Sequence, residues 1–487
     1  MTPPKLMLVV IDGMKPSALE RAVATGRART LGLLMERGTY VDECCAAFPS
    51  VTPTCAATIA TGCLQDRHHV PSMNWWSREE RRYVEYGSSF GAARRLGINR
   101  QLVDTVYSMN MEHLSEATPT VFEELDDAGR RTAGTTYLMY RGRHEHVVSK
   151  DSALTRIAGQ TLFRRPIRGP RELFYADVYA SRTTGCRSQL GMPGLRDQHS
   201  GCVGAYLVEH DLFDFLLLSL PDNDTHSHKN GPHAQVTSIH DADHQLERVM
   251  RAAGGVEEFL AEHAVIVVAD HSHAPVEQRV DVLDAFGDLL VAGPGRARPS
   301  DAEIAVCPAQ RSAMVYVLVP SARDHVLPQV LGSALELDGV DLVMHREQGT
   351  AIVSSSRGTL SFAPGEEVRD VRGAEWIVRG NLDVLDATVE DGVFRSDAYP
   401  DALARVWAAL QCPTSGDVLL SAAPGYEFAD WGGADHVGGG SHGSLHRSDS
   451  LGALIVAGVD AGEAPAQWSI RDVAGLVRRH FRLPSGR

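Results

Sequence analysis

The sequence is short of several things that would have pointed elsewhere. Basic residues are in deficit: 47 Lys and Arg face 62 Asp and Glu across 487 residues, a formal charge of −15. That balance excludes a broad cationic face for a nucleic-acid backbone, so no polymeric nucleic-acid partner is expected. A small anionic substrate stays open, because bound metal ions invert the local field. Long apolar runs are missing. The N-terminal run Leu6–Ile11 follows a single lysine and is far shorter than a secretory or membrane segment, which needs about 20 apolar residues to span. No membrane partner is expected, and the cytoplasm is the expected location. No C-x2-C pair occurs among Cys44, Cys45, Cys55, Cys63, Cys186, Cys202, Cys307 and Cys412, which argues against a structural zinc knuckle. In a chain of this size without a leader the thiols are expected to be reduced, although Cys186 and Cys202 bracket a loop-like stretch. No internal repeat, low-complexity tract or heptad pattern occurs.

What is present is an alternation of short Val/Ile/Leu runs with longer amphipathic segments. Leu6–Ile11, Thr135–Met139, Phe213–Leu220, Ala264–Ala269 and Ala453–Ala457 read as buried parallel strands. Segments 120–129, 234–253 and 401–410 read as helices between them. The pattern predicts a three-layer α/β/α core around a mainly parallel sheet. That core is expected to span residues 1–305 and 396–487, with 306–395 as an inserted α+β cap. The Arg-, Pro- and Gly-rich stretch 140–201 is expected to run as an excursion over the active face.

Ligands of such sheets gather beyond the carboxyl ends of the strands. The unusual residues lie there: Val10-Ile11-Asp12-Gly13, Asp222-Asn223-Asp224-Thr225-His226-Ser227-His228, Asp270-His271-Ser272-His273, and the late loop Gly440-Ser441-His442-Gly443. A single Asp after a strand is an ordinary turn former. Four Asp/His sites together point to metal ligation, and oxygen and nitrogen donors without thiolate suit zinc or manganese. Six or seven ligands suit two ions. The segment Phe48-Pro49-Ser50-Val51-Thr52-Pro53 leads into a run of small residues that reads as a close-packed helix. Thr52 is its expected N-cap, with Pro53 in the first turn. A hydroxyl there caps the helix or meets a phosphate at the helix N-terminus, and both roles stay open on the residues alone.

Together these motifs resemble the alkaline phosphatase superfamily, specifically its type I phosphodiesterase/nucleotide pyrophosphatase branch. The resemblance rests on VVIDG at residues 9–13, FPSVT at 48–52 running on to Thr61-Gly62, and Asp224 and His228 followed by Gly231-Pro232. Asp270-His271 and Gly440-Ser441-His442-Gly443 complete it. It implies an alkaline-phosphatase-like fold and two divalent ions, zinc or alternatively manganese. Asp224, His228 and His442 would hold one ion; Asp12, Asp270, His271 and the Thr52 oxygen would hold the other. It further implies hydrolysis of a small phosphodiester or pyrophosphate through a Thr52 nucleophile and a phospho-threonine intermediate, with Asn74 donating to a phosphoryl oxygen. Phosphomonoester or phosphonate hydrolysis is the alternative. An isomerase like cofactor-independent phosphoglycerate mutase is disfavoured by a threonine where that branch has serine. His226, His273, His436 and His446 are expected to support the ligands or to donate to the substrate rather than to join the ligands.

Overall fold

The computed structural model describes residues 3–148, 162–189 and 192–483. Its centre is an eight-stranded sheet whose strands, in chain order, are β1 (Lys5–Ile11), β2 (Thr39–Cys45), β3 (Thr132–Thr135), β4 (Glu172–Tyr175), β5 (Tyr179–Ala180), β6 (Phe215–Leu220), β7 (His263–Val268) and β8 (Leu451–Ala457). They lie in the order β2-β8-β7-β1-β6-β3-β4-β5. Pairs β7–β1, β1–β6, β6–β3 and β3–β4 are parallel; β2–β8, β8–β7 and β4–β5 at the flanks are antiparallel. The fold is the mixed α/β architecture with a large, mainly parallel central sheet that the alternation implied.

Strand β1 shows why there are three layers. Side chains alternate across a strand. Leu6, Leu8 and Val10 enter one apolar cluster with the helix Thr52–Thr61 and the C-terminal helix Asp472–Phe481. Met7, Val9 and Ile11 enter another with the helices Pro16–Ala24, Arg29–Arg37 and Gln235–Arg251. Both faces are covered, so these strands read as unbroken apolar runs.

Three expectations are corrected. The strand expected at Thr135–Met139 is instead Thr132–Thr135, after which Thr136 turns into a positive-φ loop. Its sequence, TAGT, hides it from a hydrophobicity reading: Gly134 sits there because Phe122 packs over it, 3.1 Å from where a Cβ would stand. The strand at 451–457 runs antiparallel to its neighbours rather than parallel. The third concerns the stretch 140–201, of which 149–161 and 190–191 lie outside the described residues. Rather than forming only an excursion, its described part supplies β4 and β5 to the central sheet.

That stretch also folds back on the helix Arg196–Glu209, bringing the Cys186 and Cys202 Cα atoms to 5.9 Å, where they form a disulfide. The expectation of reduced thiols is therefore corrected for this pair, whose approach no spacing rule announces; the other six cysteines are free.

Most of 306–395 belongs to a second, nine-stranded sheet that also takes in Ile304–Ala309 and Val418–Ala422. Its first hairpin, Ile304–Ala309 to Ser312–Val317, turns at Gln310-Arg311, where the Arg311 N–H donates to the carbonyl of His442 (3.0 Å). The second sheet thus fastens one of the loops at the carboxyl edge of the first. Among the described residues no helix is long and apolar enough to cross a membrane.

Candidate metal centre and active site

The carboxyl ends of β1, β6 and β7 lie side by side, and their loops bring two groups of side chains together. Ligand atoms of Asp12, Asp270 and His271 lie within 4.8 Å of one another; those of Asp224, His228, His273 and His442 do likewise. The His271 and His442 rings stack at 3.6 Å, so the groups are adjacent. The Asp and His ligand candidates expected from the sequence are all in one or the other group; Thr52, the remaining candidate, lies beside His271. His273, expected to support them, stands inside the second, with its Nε2 2.9 Å from Asp224 Oδ1.

Each ligand has a local reason for its place. Asp12 follows β1, and its backbone is pinned by N–H donation to the Leu220 carbonyl and by the Asn223 amide donating to its own carbonyl (2.7 Å). Gly13 has φ +64°, and a Cβ there would meet the His273 ring at 2.6 Å, so only glycine fits. Asp224 and His228 sit four apart on the helix Asp222–Asn230, hence on one face. His442 is held by Nδ1–H donation to the Ser50 carbonyl (2.8 Å), and Gly443 N–H donates to Ser50 Oγ (3.0 Å). The His442 loop and the Thr52 segment are therefore zipped together.

Thr52 is the first residue of its helix, with Val51 in the capping position. Its hydroxyl makes no capping bond; it lies 3.2 Å from His271 Nε2. The N-cap expectation is corrected, and the hydroxyl is directed at the Asp12/Asp270/His271 group.

The donor chemistry fits cations. His228, His442 and His271 each donate Nδ1–H to a backbone carbonyl, of Gly440, Ser50 and Ser272 at 2.8, 2.8 and 3.1 Å. In the neutral tautomer so fixed, Nε2 carries a lone pair. Those lone pairs face carboxylate oxygens: His228 and His442 face Asp224 at 3.3 and 3.4 Å, and His271 faces Asp12 and Asp270 at 3.4 and 3.5 Å. Lone pair against anion is unfavourable, and either a proton or a metal cation between the two relieves it. Asp12 Oδ1 and His442 Nε2 are buried with no hydrogen-bond partner among the described residues. For ligands about 2.0–2.1 Å from a tetrahedral ion, the ligand–ligand edge is about 3.3–3.4 Å. The residues present fit two such ions.

Electrostatics of the bare protein agree. Burial, then the charges of Asp270 and Asp224, push the Asp12 carboxyl well above its ordinary range, and burial foremost pushes Asp270 to about 6. Burial lowers His271 and His442 to about 4. Asp224, although burial opposes its charge, is held well below the usual carboxylate range by the histidines around it. Three carboxylates crowded in a dry site repel one another, and divalent cations relieve that repulsion.

Asn74 is buried in the strand Asn74–Ser77. Its amide donates to the Pro308 carbonyl (2.5 Å) and Ser88 Oγ (3.3 Å), so none of its partners belongs to either group. Of the remaining histidines, His436 stacks on His228 at 3.9 Å and donates Nδ1–H to Glu427 (2.8 Å). His226 lines a separate cavity of about 480 Å³ with Asp197, Asp222 and His244. The sequence reading missed Lys15, whose ammonium donates to the His273 and Ser448 carbonyls (3.0 and 2.9 Å), and the fully buried Arg311–Asp449 pair behind His442. Only the pair of histidines two apart in Asp270-His271-Ser272-His273 could have flagged His273.

Comparison with known proteins places this geometry in context. A family profile described as type I phosphodiesterase/nucleotide pyrophosphatase matches residues 6–445. No curated protein matches the sequence. The fold is similar to phosphonoacetate hydrolase from Sinorhizobium meliloti 1021, solved with phosphonoformate (TM-score 0.59, 16% identity, 98% of this chain and 96% of that one). It is also similar to murine ectonucleotide pyrophosphatase/phosphodiesterase 5, an inactive form solved with AMP (TM-score 0.58, 12% identity, 99% and 96%), and to the human protein of that name (0.56, 12%, 99% and 96%).

Proposed function

The chain belongs to the type I phosphodiesterase/nucleotide pyrophosphatase family, and on that premise we propose that it hydrolyses small phosphodiesters or pyrophosphates with Thr52 as nucleophile. The observation that carries this reading is the Thr52 hydroxyl: unused by its own helix, it lies 3.2 Å from His271 beside two adjacent Asp/His groups. Asp224, His228 and His442 would hold one divalent ion, and Asp12, Asp270, His271 and Thr52 the other, zinc in the first instance and manganese as the alternative. Bound there, the two ions would supply neutralisation of phosphoryl charge and a lowered pKa at the hydroxyl.

The rest is the work of the chain's own residues. The helix 52–61 directs its N-terminal N–H groups and positive dipole end toward the phosphoryl oxygens. The Thr52 hydroxyl gives its proton to solvent, Oγ forms a bond to phosphorus as the bond to the leaving group breaks, and the leaving group departs with the electron pair and takes up a proton from water. Water then cleaves the phospho-threonine ester, releasing the phosphorylated product and restoring the hydroxyl. For Asn74 to donate to a phosphoryl oxygen it gives up its long bond to Ser88 and keeps the short one to Pro308. The cytoplasmic location expected from the sequence and the Cys186–Cys202 disulfide point to different compartments, and a thiol count decides between them.

The test is a panel of a nitrophenyl phosphodiester, a nitrophenyl monoester and a phosphonate, offered to wild type and Thr52→Ala with zinc or manganese. Turnover highest on the diester and lost in Thr52→Ala supports the proposal. Preference for the monoester or phosphonate moves the substrate class, and full activity in Thr52→Ala removes the nucleophile.

A further inference from the structure

We propose that His273 is a fourth protein ligand of the Asp224/His228/His442 ion site, making it a three-imidazole, one-carboxylate site. The inference rests on the two-ion reading above and adds a residue to it.

The geometry comes first. The rings of His228, His273 and His442 form a nearly equilateral triangle, with centroids 4.9, 5.0 and 5.1 Å apart. Each presents Nε2 to the same oxygen, Asp224 Oδ1, at 3.3, 2.9 and 3.4 Å. The four ligand atoms lie within 4.8 Å of one another, close enough to surround one ion; the His228 and His442 contacts match the edge of about 3.3–3.4 Å expected for ligands at about 2.0–2.1 Å, while the His273 contact has hydrogen-bond length. His273 is as deeply buried as His271 and His442, and more so than His228. Two features of the fold serve its position: Gly13 leaves the space its ring fills, and Lys15 fixes its backbone carbonyl.

One difference sets His273 apart from its neighbours. His228 and His442 have Nδ1 anchored on a backbone carbonyl, whereas His273 Nδ1 is buried without a partner among the described residues. A ligating imidazole is normally oriented by such a bond, so His273 is the least tethered of the four ligands. In such a site it would take the position that a catalytic site keeps open. Asp12, Asp270, His271 and Thr52 offer three oxygens and one nitrogen. The two sites therefore differ in kind, and the nitrogen-rich one holds zinc more tightly.

The experiment is zinc binding to metal-free protein by competition with a chromophoric chelator, for wild type, His273→Met and His273→Gln, with circular dichroism to confirm folding. Zinc-edge X-ray absorption of the wild type loaded with one equivalent accompanies it. The expected result is two ions in wild type, with the tighter one weakened in both variants by more than the about 10–100-fold that loss of a partner merely hydrogen-bonded to a ligand costs, the weaker one unchanged, and three imidazoles around the first zinc. Two ions bound with unchanged affinities in the variants, or two imidazoles around the first zinc, overturns the fourth ligand and leaves the two-ion reading standing. Failure of wild type to bind zinc at all overturns both. If the variants do not fold, the imidazole count in wild type decides.

Discussion

The Arg311–Asp449 pair offers the most exacting test of how the second sheet supports the site. Both side chains are fully buried. Arg311 donates from Nε to the Tyr426 carbonyl (3.0 Å), from Nη2 to the Ala423 carbonyl (3.0 Å) and from Nη1 to Asp449 Oδ1 (2.8 Å). Asp449 also accepts from the Ser444 N–H (2.8 Å) and hydroxyl (2.6 Å), and its carbonyl accepts from Ser272 N–H (3.1 Å). One ion pair thus ties together the loops that carry His442 and His271. Arg311→Met strands a carboxylate in a dry core, which costs about 3–5 kcal/mol. That is a large share of a stability of about 5–15 kcal/mol. Arg311→Met/Asp449→Asn removes the stranded charge and keeps the shape, so the double variant is expected to be more stable than the single one.

The pH dependence separates charge from packing. Although burial opposes it, Arg311 and the Ser444 bonds hold the Asp449 carboxyl below its ordinary range in the wild type. Its stabilisation is present above the unfolded pKa and is lost as pH falls through the lower folded value. Without Arg311 the carboxyl is raised instead, so the deficit of the variant is greatest at neutral pH and shrinks toward pH 4. Urea midpoints at pH 4, 5.5 and 7 with saturating zinc measure both effects. A deficit for Arg311→Met below about 1 kcal/mol, the size of a single ordinary hydrogen bond, would refute the reasoning. So would a deficit independent of pH, or a double variant no more stable than the single.

Three further outcomes are expected. Denatured, unreduced protein reacts as six thiols with Ellman's reagent and as eight after reduction, and eight without reduction removes the Cys186–Cys202 bond. Asp197 is pushed up to about 8 by burial and by Asp222. An acid raised on folding loses stability as pH climbs from its unfolded value to its folded one; Asp197→Asn therefore gains on wild type between pH 4 and 8 and levels off above, and a gain flat across urea midpoints at pH 5, 7 and 9 counts against this. Gly13→Ala forces a left-handed residue, at about 1–2 kcal/mol, against the His273 ring, and calorimetry with and without zinc is expected to show a lower transition and a smaller stabilisation by the ion.

Much of the site was legible from the chain alone because its chemistry is carried by short segments. A strand of β-branched and leucine residues ending in Asp-Gly or Asp-His sets a carboxylate at a sheet edge whatever the rest of the fold does, and a four-residue step sets Asp224 and His228 on one helix face. Strand β3 escaped because a strand packed under Phe122 needs small residues, not apolar ones.

The mainly parallel core, the candidate ligand residues and the candidate threonine could be read from the chain alone, since these depend on period, spacing and residue type within a few positions. Three-dimensional packing was needed to bring His273 beside Asp224, His228 and His442, to turn the Thr52 hydroxyl toward His271 instead of capping its helix, and to join Cys186 to Cys202. Those are distances between segments as much as hundreds of residues apart. They are set by the order of strands in the sheet and by the second sheet pressing on the His442 loop, and no local pattern encodes them.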